Sequence, residues 1–403
     1  MDSINKKVCV IGLGYIGLPT ASLLGTKGFE VLGVDTKQEV VDTINQGKIH
    51  IVEPDLDILV KSAVNSGNLS ASTTPEPAEV FIIAVPTPFK DGKKPNLDYV
   101  AKATQSICQS LKPNDLVILE STSPVGTTTE VVSRIISENT DLQVGKDIFV
   151  AHCPERVLPG RILIELVEND RVIGGVTKNC TSKAVEFYKS FVKGKVLETS
   201  AKTAELVKLT ENSFRDVNIA FANELSMICD QEQINVWELI QLANRHPRVN
   251  ILQPGPGVGG HCIAVDPWFI VDTAPDFSNL IKTAREVNDS KPEWVIGRVK
   301  EKAERFKNPT IACLGLAFKA DVDDLRESPA QYIAERLYKE IEGTVLFSEP
   351  NISTHPKLEL TNYQDAIAQA DIVLLLVDHA QFKEVSQSEL SEKVVIDTRG
   401  QWM

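Results

Sequence analysis

The feature that most constrains this chain is Gly12-x-Gly14-x-x-Gly17, which follows the β-branched run Val8-Cys9-Val10-Ile11 and opens an amphipathic stretch. A strand feeding a glycine turn and then a helix is the dinucleotide-binding arrangement. The first glycine makes the tight turn, the second lets the backbone approach a pyrophosphate, and the third packs helix on strand. The helix N-terminus adds free amides and the positive end of its dipole. Asp35 ends the next run, Val31-Leu32-Gly33-Val34, where a carboxylate accepts hydrogen bonds from the adenosine ribose hydroxyls and repels a 2′-phosphate. The pattern predicts an NAD site rather than an NADP site.

Further runs at 80–85, 116–120 and 147–151 extend the alternation of strands and helices, which predicts a parallel sheet with crossover helices. The turns holding Thr87, and Thr122 through Thr128, fall at the carboxyl edge where open sheets bind ligands. Taken alone, their threonines and prolines are equally ordinary turn chemistry. Between Gly194 and Pro247 there is neither glycine nor proline, and Leu206, Leu209, Phe214, Ile219, Phe221, Leu225 and Ile228 recur at helical spacing. That predicts a long central helix, which joins two domains or builds a subunit interface. After Lys307-Asn308-Pro309 the alternation resumes with runs at 310–315, 344–347, 372–377 and 394–397. The expected fold is α/β: two Rossmann-like open parallel-sheet domains joined by a helical central section, with boundaries at 1–194, 195–300 and 301–403.

Composition narrows the function. A net charge of −13 works against association with nucleic acid or an anionic membrane, both of which need a positive field. No apolar run approaches the roughly 20 residues of a membrane span. The start of the chain passes straight into a strand without a signal-peptide pattern, so a cytoplasmic protein is expected. The 7 cysteines, at 9, 108, 153, 180, 229, 262 and 313, include no Cys-x-x-Cys pair. This argues against a disulfide framework and against structural zinc, and most of them are expected to be buried thiols.

Cys262 is different, because it follows Pro254-Gly255-Pro256-Gly257-Val258-Gly259-Gly260-His261. A loop so poor in side chains turns amides toward a phosphate or an oxyanion and leaves a thiol approachable, although a lone cysteine is more often a small core residue. Lys208, Asn212 and Arg215, spaced i, i+4 and i+7, share one helix face. Such a row is an acid/base and oxyanion-binding set if it lines a cleft, and a solvated face otherwise. Glu155 and Arg156 follow a strand end, Asp266 lies four residues past Cys262, and His246 and Arg248 precede the glycine loop. No metal-ligand spacing is present, so no metal is expected.

The stretches Val10 to Pro19, Cys153 to Gly160, Lys208 to Asp216, His246 to Asn250 and Gly315 to Lys319, in that order, resemble the UDP-glucose/GDP-mannose dehydrogenase family over essentially the whole chain. The resemblance implies that Tyr15, Ile16, Asp35, Thr87, Thr122 and Thr128 contact NAD together with the glycines, and that Arg326 reaches the cofactor from the C-terminal domain. It implies that Arg156, Val157, Lys208, Asn212, Arg215, His246, Arg248, Gly259 and Lys319 hold a nucleotide sugar, with Arg248 crossing between the subunits of a homodimer. It further implies oxidation of an alcohol to an acid, with Cys262 as nucleophile, Lys208 and Asn212 acting on the reacting oxygen, and Asp266 with Glu155 assisting the hydrolytic water. Glu155 to Gly160 and His261 depart from the UDP-glucose branch and favour an N-acetylhexosamine. The competing expectations are the same chemistry on UDP-glucose, UDP-N-acetylglucosamine or GDP-mannose, a two-electron NAD-dependent hydroxyacid dehydrogenase, and a nonenzymatic NAD-sensing protein.

Overall fold

A computed structural model of the chain describes residues 6–51, 53–158, 160–260 and 262–402; Pro159 and His261 of the motifs above lie outside the described residues. The chain divides into two compact units. The first is the chain up to Glu211 with Trp268–Ala274, and the second is Asn212–Pro267 with the chain from Pro275 onward.

In the first unit, β1 (Lys7–Ile11), β2 (Glu30–Val34), β3 (Leu69–Ser72), β4 (Val80–Ile83), β7 (Leu116–Leu119), β8 (Phe149–His152), β9 (Arg171–Gly175) and β10 (Val196–Ser200) form one sheet in the order β10-β9-β8-β7-β4-β1-β2-β3. A small hairpin, β5 (Phe89–Lys90) with β6 (Lys94–Pro95), stands apart from it. The helices are α1 (Gly17–Thr26), α2 (Gln38–Asn45), α3 (Leu56–Asn65), α4 (Asp98–Ile107), α5 (Ser133–Asn139), α6 (Ile162–Glu168) and α7 (Lys178–Lys189). Strands covered on both faces read as unbroken apolar runs, and β4 (VFII) and β7 (LVIL) are buried at every position. Alternation in β1 serves both layers: Val8 and Val10 enter one core cluster, Cys9 and Ile11 the other.

The sheet of the first unit is parallel as expected, with one exception. β9 runs antiparallel to β8, with Ala151 opposite Gly175 and His152 opposite Gly174, and β10 then runs parallel to β9. Strands β3, β9 and β10 were absent from the sequence reading.

The long helix is α8 (Ala201–Gln231), and the division between the units falls within it. After it come α9 (Val236–Ala243), α10 (Asp266–Thr273) and a second long helix, α11 (Asn279–Ala303), with Pro292 inside it. The second unit is completed by β11 (Thr310–Leu314), α12 (Pro329–Glu340), β12 (Thr344–Ser348), α13 (Tyr363–Gln369), β13 (Ile372–Leu375), α14 (Gln387–Leu390) and β14 (Val394–Asp397). Its sheet, β12-β11-β13-β14, is parallel throughout. Both sheets reverse their winding beside the first strand of the unit, between β1 and β4 and between β11 and β13. Ligands of open sheets bind outside the carboxyl ends at such points.

Candidate active site

At the first switch point the three glycines have separate jobs. Gly12 has φ +94°, and a Cβ there would lie 2.6 Å from the Ala84 carbonyl oxygen; at Gly17 it would lie 1.8 Å from the Gly12 oxygen. At Gly14 it would meet nothing within 4 Å, which leaves the turn open on its outer side. Asp35 follows β2 directly and accepts hydrogen bonds from the Leu13 N–H at 3.2 Å and the Lys37 N–H at 3.0 Å. An open glycine turn, a helix N-terminus and a half-buried carboxylate at the second strand end fit the pyrophosphate and ribose of NAD.

Of the other expected cofactor residues, Tyr15 is exposed and Ile16 half-buried beside the turn. The Thr87 hydroxyl donates to the Thr122 carbonyl at 2.6 Å, joining the turns after β4 and β7. Thr128 is fully buried, and its hydroxyl donates to Glu205 at 2.6 Å, as the Gly126 and Thr128 amides also do. Glu205, on α8, thus holds the loop after β7. Arg326 stands in the second unit in a forked pair with Asp324 at 2.6 Å.

Also in the first unit, Glu155 is buried in an ion pair with Arg171 at 2.6 Å and accepts the Arg156 N–H at 2.6 Å. The Arg156 guanidinium pairs with Glu211 on α8 at 2.5 Å and reaches the Asp170 carbonyl at 3.2 Å. Val157 packs against the core, and Lys208 is half-buried on α8.

In the second unit, Cys262 is exposed, whereas the other six cysteines are buried. Burial pushes the thiols of Cys9, Cys153 and Cys313 up to about 12. The glycine loop before Cys262 does more than bare its amides. Gly257 has φ +145°, and a Cβ there would lie 2.9 Å from Pro329 and 3.1 Å from Pro292; at Gly259 it would lie 2.5 Å from the Glu327 carbonyl. Besides leaving the loop's amides bare toward a phosphate or oxyanion, the absent side chains at Gly257 and Gly259 let the loop lie close against its own unit.

Asn212 and Asp266 come together: Asn212 Nδ2 donates to the buried Asp266 carboxylate at 2.5 Å. Arg215, His246 and Arg248 are exposed, and the Arg248 N–H points at His246 Nδ1 at 3.4 Å. Lys319 lines a pocket with Pro256, Gly257, Phe318, Asp378 and Arg399. This pocket lies at the carboxyl ends of β11 and β13, the switch point of the second sheet. Gly259 belongs to the same glycine loop that supplies Pro256 and Gly257.

The long helix buries more polar residues than the sequence marks. Glu205, Asn212, Asp216 and Asn223 are all buried on α8, while Leu206, Phe214, Phe221 and Ile228 on the same helix are exposed. Only Asn212 of that polar set was singled out. Spacings of 7, 4 and 7 residues along a glycine-free helix were the available signal. Arg171, Arg285, Asn288 and Arg399 offered no comparable pattern.

The fold and the glycine turn define an NAD-linked dehydrogenase with a second ligand-binding α/β unit. Comparison with known families agrees: this chain belongs to the UDP-glucose/GDP-mannose dehydrogenase family, whose NAD binding domain matches residues 6–192, whose central domain matches 202–290 and whose UDP binding domain matches 312–403. It is an oxidoreductase whose cofactor is NAD and whose substrate is a nucleotide-linked sugar. It is 60% identical to an NDP-N-acetyl-D-galactosaminuronic acid dehydrogenase of Ralstonia nicotianae, covering 100% of this chain and 97% of that one. It is 58% identical to a UDP-N-acetyl-D-mannosamine dehydrogenase of Campylobacter jejuni, covering 98% and 99%. A solved UDP-N-acetyl-mannosamine dehydrogenase of Staphylococcus aureus superimposes with a TM-score of 0.90 at 45% identity, over 98% of this chain and 95% of that one. Among the described residues no helix is long and apolar enough to cross a membrane.

Proposed function

We propose that this chain oxidises the C6 alcohol of UDP-N-acetyl-D-mannosamine to the uronate, in the cytoplasm, as a step toward a bacterial surface polysaccharide. When bound, NAD accepts the hydride of each of the two oxidations, so that one alcohol and one water become one carboxylate with two NADH and three protons. Gly12, Gly14, Tyr15, Ile16, Gly17, Asp35, Thr87, Thr122, Thr128 and Arg326 are its candidate contacts. The observation that carries the covalent scheme is that Cys262 is the one exposed thiol of the seven, on a loop that also walls the second unit's pocket.

Lys208 assists removal of the C6 hydroxyl proton in the first oxidation. The Cys262 thiolate adds to the aldehyde, its electron pair forming the S–C bond while the carbonyl pair moves to oxygen, which Lys208 and Asn212 stabilise. Loss of the second hydride from this thiohemiacetal gives a thioester. Water assisted by Asp266 and Glu155 then cleaves the thioester, releasing the acid and restoring the thiol. Asp266 has a second duty in this scheme, because it orients the Asn212 amide. Arg156, Val157, Arg215, His246, Arg248, Gly259 and Lys319 bind the nucleotide sugar. Arg248 acts from the partner subunit of a homodimer, which the exposed stripe Leu206, Phe214, Phe221 and Ile228 on α8 supports.

A galacto-configured sugar is the second reading, favoured by the 60% identity to the Ralstonia relative. Parallel turnover of UDP-N-acetyl-D-mannosamine, UDP-N-acetylgalactosamine, UDP-N-acetylglucosamine and UDP-glucose tests the substrate. Cys262→Ser tests the chemistry: it should bind NAD normally and form no acid, and full acid production by that variant would exclude the thioester route.

A further inference from the structure

Within the second unit, one buried chain of polar side chains grips the Cys262 loop at both ends. At its start the Gly255 N–H donates to Asn223 Oδ1 at 2.8 Å. Asn223 Nδ2 donates to Asn288 Oδ1 at 2.9 Å, and Asn288 Nδ2 donates to the Asp216 carboxylate at 2.8 Å and to its backbone carbonyl at 3.0 Å. Asp216 is ion-paired with Arg285, whose guanidinium donates to the carbonyl of Ile263, the residue after Cys262, at 3.4 Å. None of Asp216, Asn223, Arg285 and Asn288 is more than 1% exposed. Burying such a chain costs desolvation that apolar packing would avoid, so it makes sense where it fixes geometry. Between the two grips the loop rests on Pro292, Pro329 and Glu327.

We infer that Asn223 is a positioning residue of the reaction, fixing the Gly255 end of the cysteine loop while Asn288, Asp216 and Arg285 fix the Ile263 end, so that the Cys262 sulfur is held for addition to the aldehyde. The inference rests on Cys262 being the nucleophile. Addition to the aldehyde needs the sulfur in place, whereas the first oxidation does not involve it. A slack loop therefore harms the second oxidation selectively.

The test uses the full-length enzyme with NAD and UDP-N-acetyl-D-mannosamine and compares wild type with Asn223→Ala, Asn223→Asp and Cys262→Ser. The readouts are the first-turnover NADH burst, NADH per sugar consumed, aldehyde trapped with hydroxylamine, and the rate of Cys262 alkylation by iodoacetamide. Asn223→Ala should slow acid formation on the order of 10- to 100-fold, with the first burst and the sugar KM within about twofold of wild type. Trapped aldehyde should rise and the alkylation rate should change. Asn223→Asp keeps an acceptor for the Gly255 N–H but, when ionised, gives up the donor to Asn288 Oδ1, so it should recover part of the lost rate. If the alanine variant does not fold, Asn223→Ser, whose shorter side chain withdraws that acceptor while staying polar, makes the same comparison.

Wild-type acid formation by the alanine or serine variant overturns the inference. So does an equal loss of both oxidations that Asn223→Asp fails to relieve, since that is a merely structural effect. Full acid formation by Cys262→Ser overturns the nucleophile itself; Cys262→Ser stopping at the aldehyde beside an unaffected Asn223→Ala overturns the positioning alone.

Discussion

Asp35 and His152 show how differently single polar residues act in the same sheet. The Asp35 carboxylate stands at the end of β2, tied to the Leu13 and Lys37 amides, where the ribose of NAD is expected. Removing a carboxylate that binds two hydroxyls costs about 1.5–3 kcal/mol. Asp35→Ala should therefore raise the NAD Kd roughly 10- to 100-fold in calorimetry while sparing nucleotide-sugar affinity, and an unchanged Kd would remove the ribose assignment. His152 at the end of β8 is completely buried, and burial holds its imidazole down at about 3 from an ordinary 6.5. A base with a depressed folded pKa stays neutral in the native chain while the unfolded chain takes up a proton. Stability is then intact above pH 6.5 and is lost as pH falls from there toward 3, by up to about 1.4 kcal/mol per pH unit from this group. His152→Leu should resist acid better than wild type: in urea unfolding from pH 7 to pH 4, the wild-type midpoint should fall more steeply than the variant's. Parallel slopes would contradict the assignment. The fingerprint glycines and Asp35 were legible because each has a steric or electrostatic reason at a fixed spacing, whereas nothing local marks His152 as buried.

At the scale of the element, α8 is the clearest departure from a simple amphipathic reading. The sequence places apolar residues at helical spacing, which correctly predicts a helix. The face it buries in the chain, however, carries Glu205, Asn212, Asp216 and Asn223, while Phe214 is 67% exposed and Phe221 52% exposed. Periodicity shows that a helix forms, but not which face its own chain covers. If the apolar stripe is a subunit interface, Phe214→Glu with Phe221→Glu should shift the mass in light scattering from a dimer to a monomer, and a wild-type monomer would refute the dimer. The cysteine loop behaves as an element too. Gly257→Ala places a Cβ at 2.9 Å from Pro329 at a φ of +145°, so it should cost about 2–4 kcal/mol or displace the loop. Acid formation should fall with it while NAD affinity stays, and an unaltered rate would show that the loop tolerates displacement. Strands β9 and β10 were illegible for a related reason: β9 contains the buried Arg171 and two glycines, and β10 is a half-exposed edge strand reading VLETS.

On the scale of the whole molecule, the two sheets repeat one device. Gly12 donates its N–H to the Val34 carbonyl at the end of β2 at 2.8 Å, and Gly315 donates to the Ser348 carbonyl at the end of β12 at 2.8 Å. The acids that follow, Asp35 and Glu349, both take amide hydrogens from the glycine turn, but Glu349 is buried against His379 at 3.0 Å. The second acid is thus spent on its own loop, and the second unit keeps the strand–turn geometry without a ribose-binding carboxylate at that position. Alternating strands and helices made both units readable, while the internal commitment of Glu349 depends on His379, thirty residues further along.

The central claim is a four-electron oxidation through Cys262, and it is tested most directly by the NADH formed per mole of UDP-N-acetyl-D-mannosamine consumed, with products identified by mass. Two NADH and a uronate from wild type, with no acid from Cys262→Ser, is the predicted result. One NADH with an aldehyde, or two NADH from the Cys262→Ser chain, would contradict it.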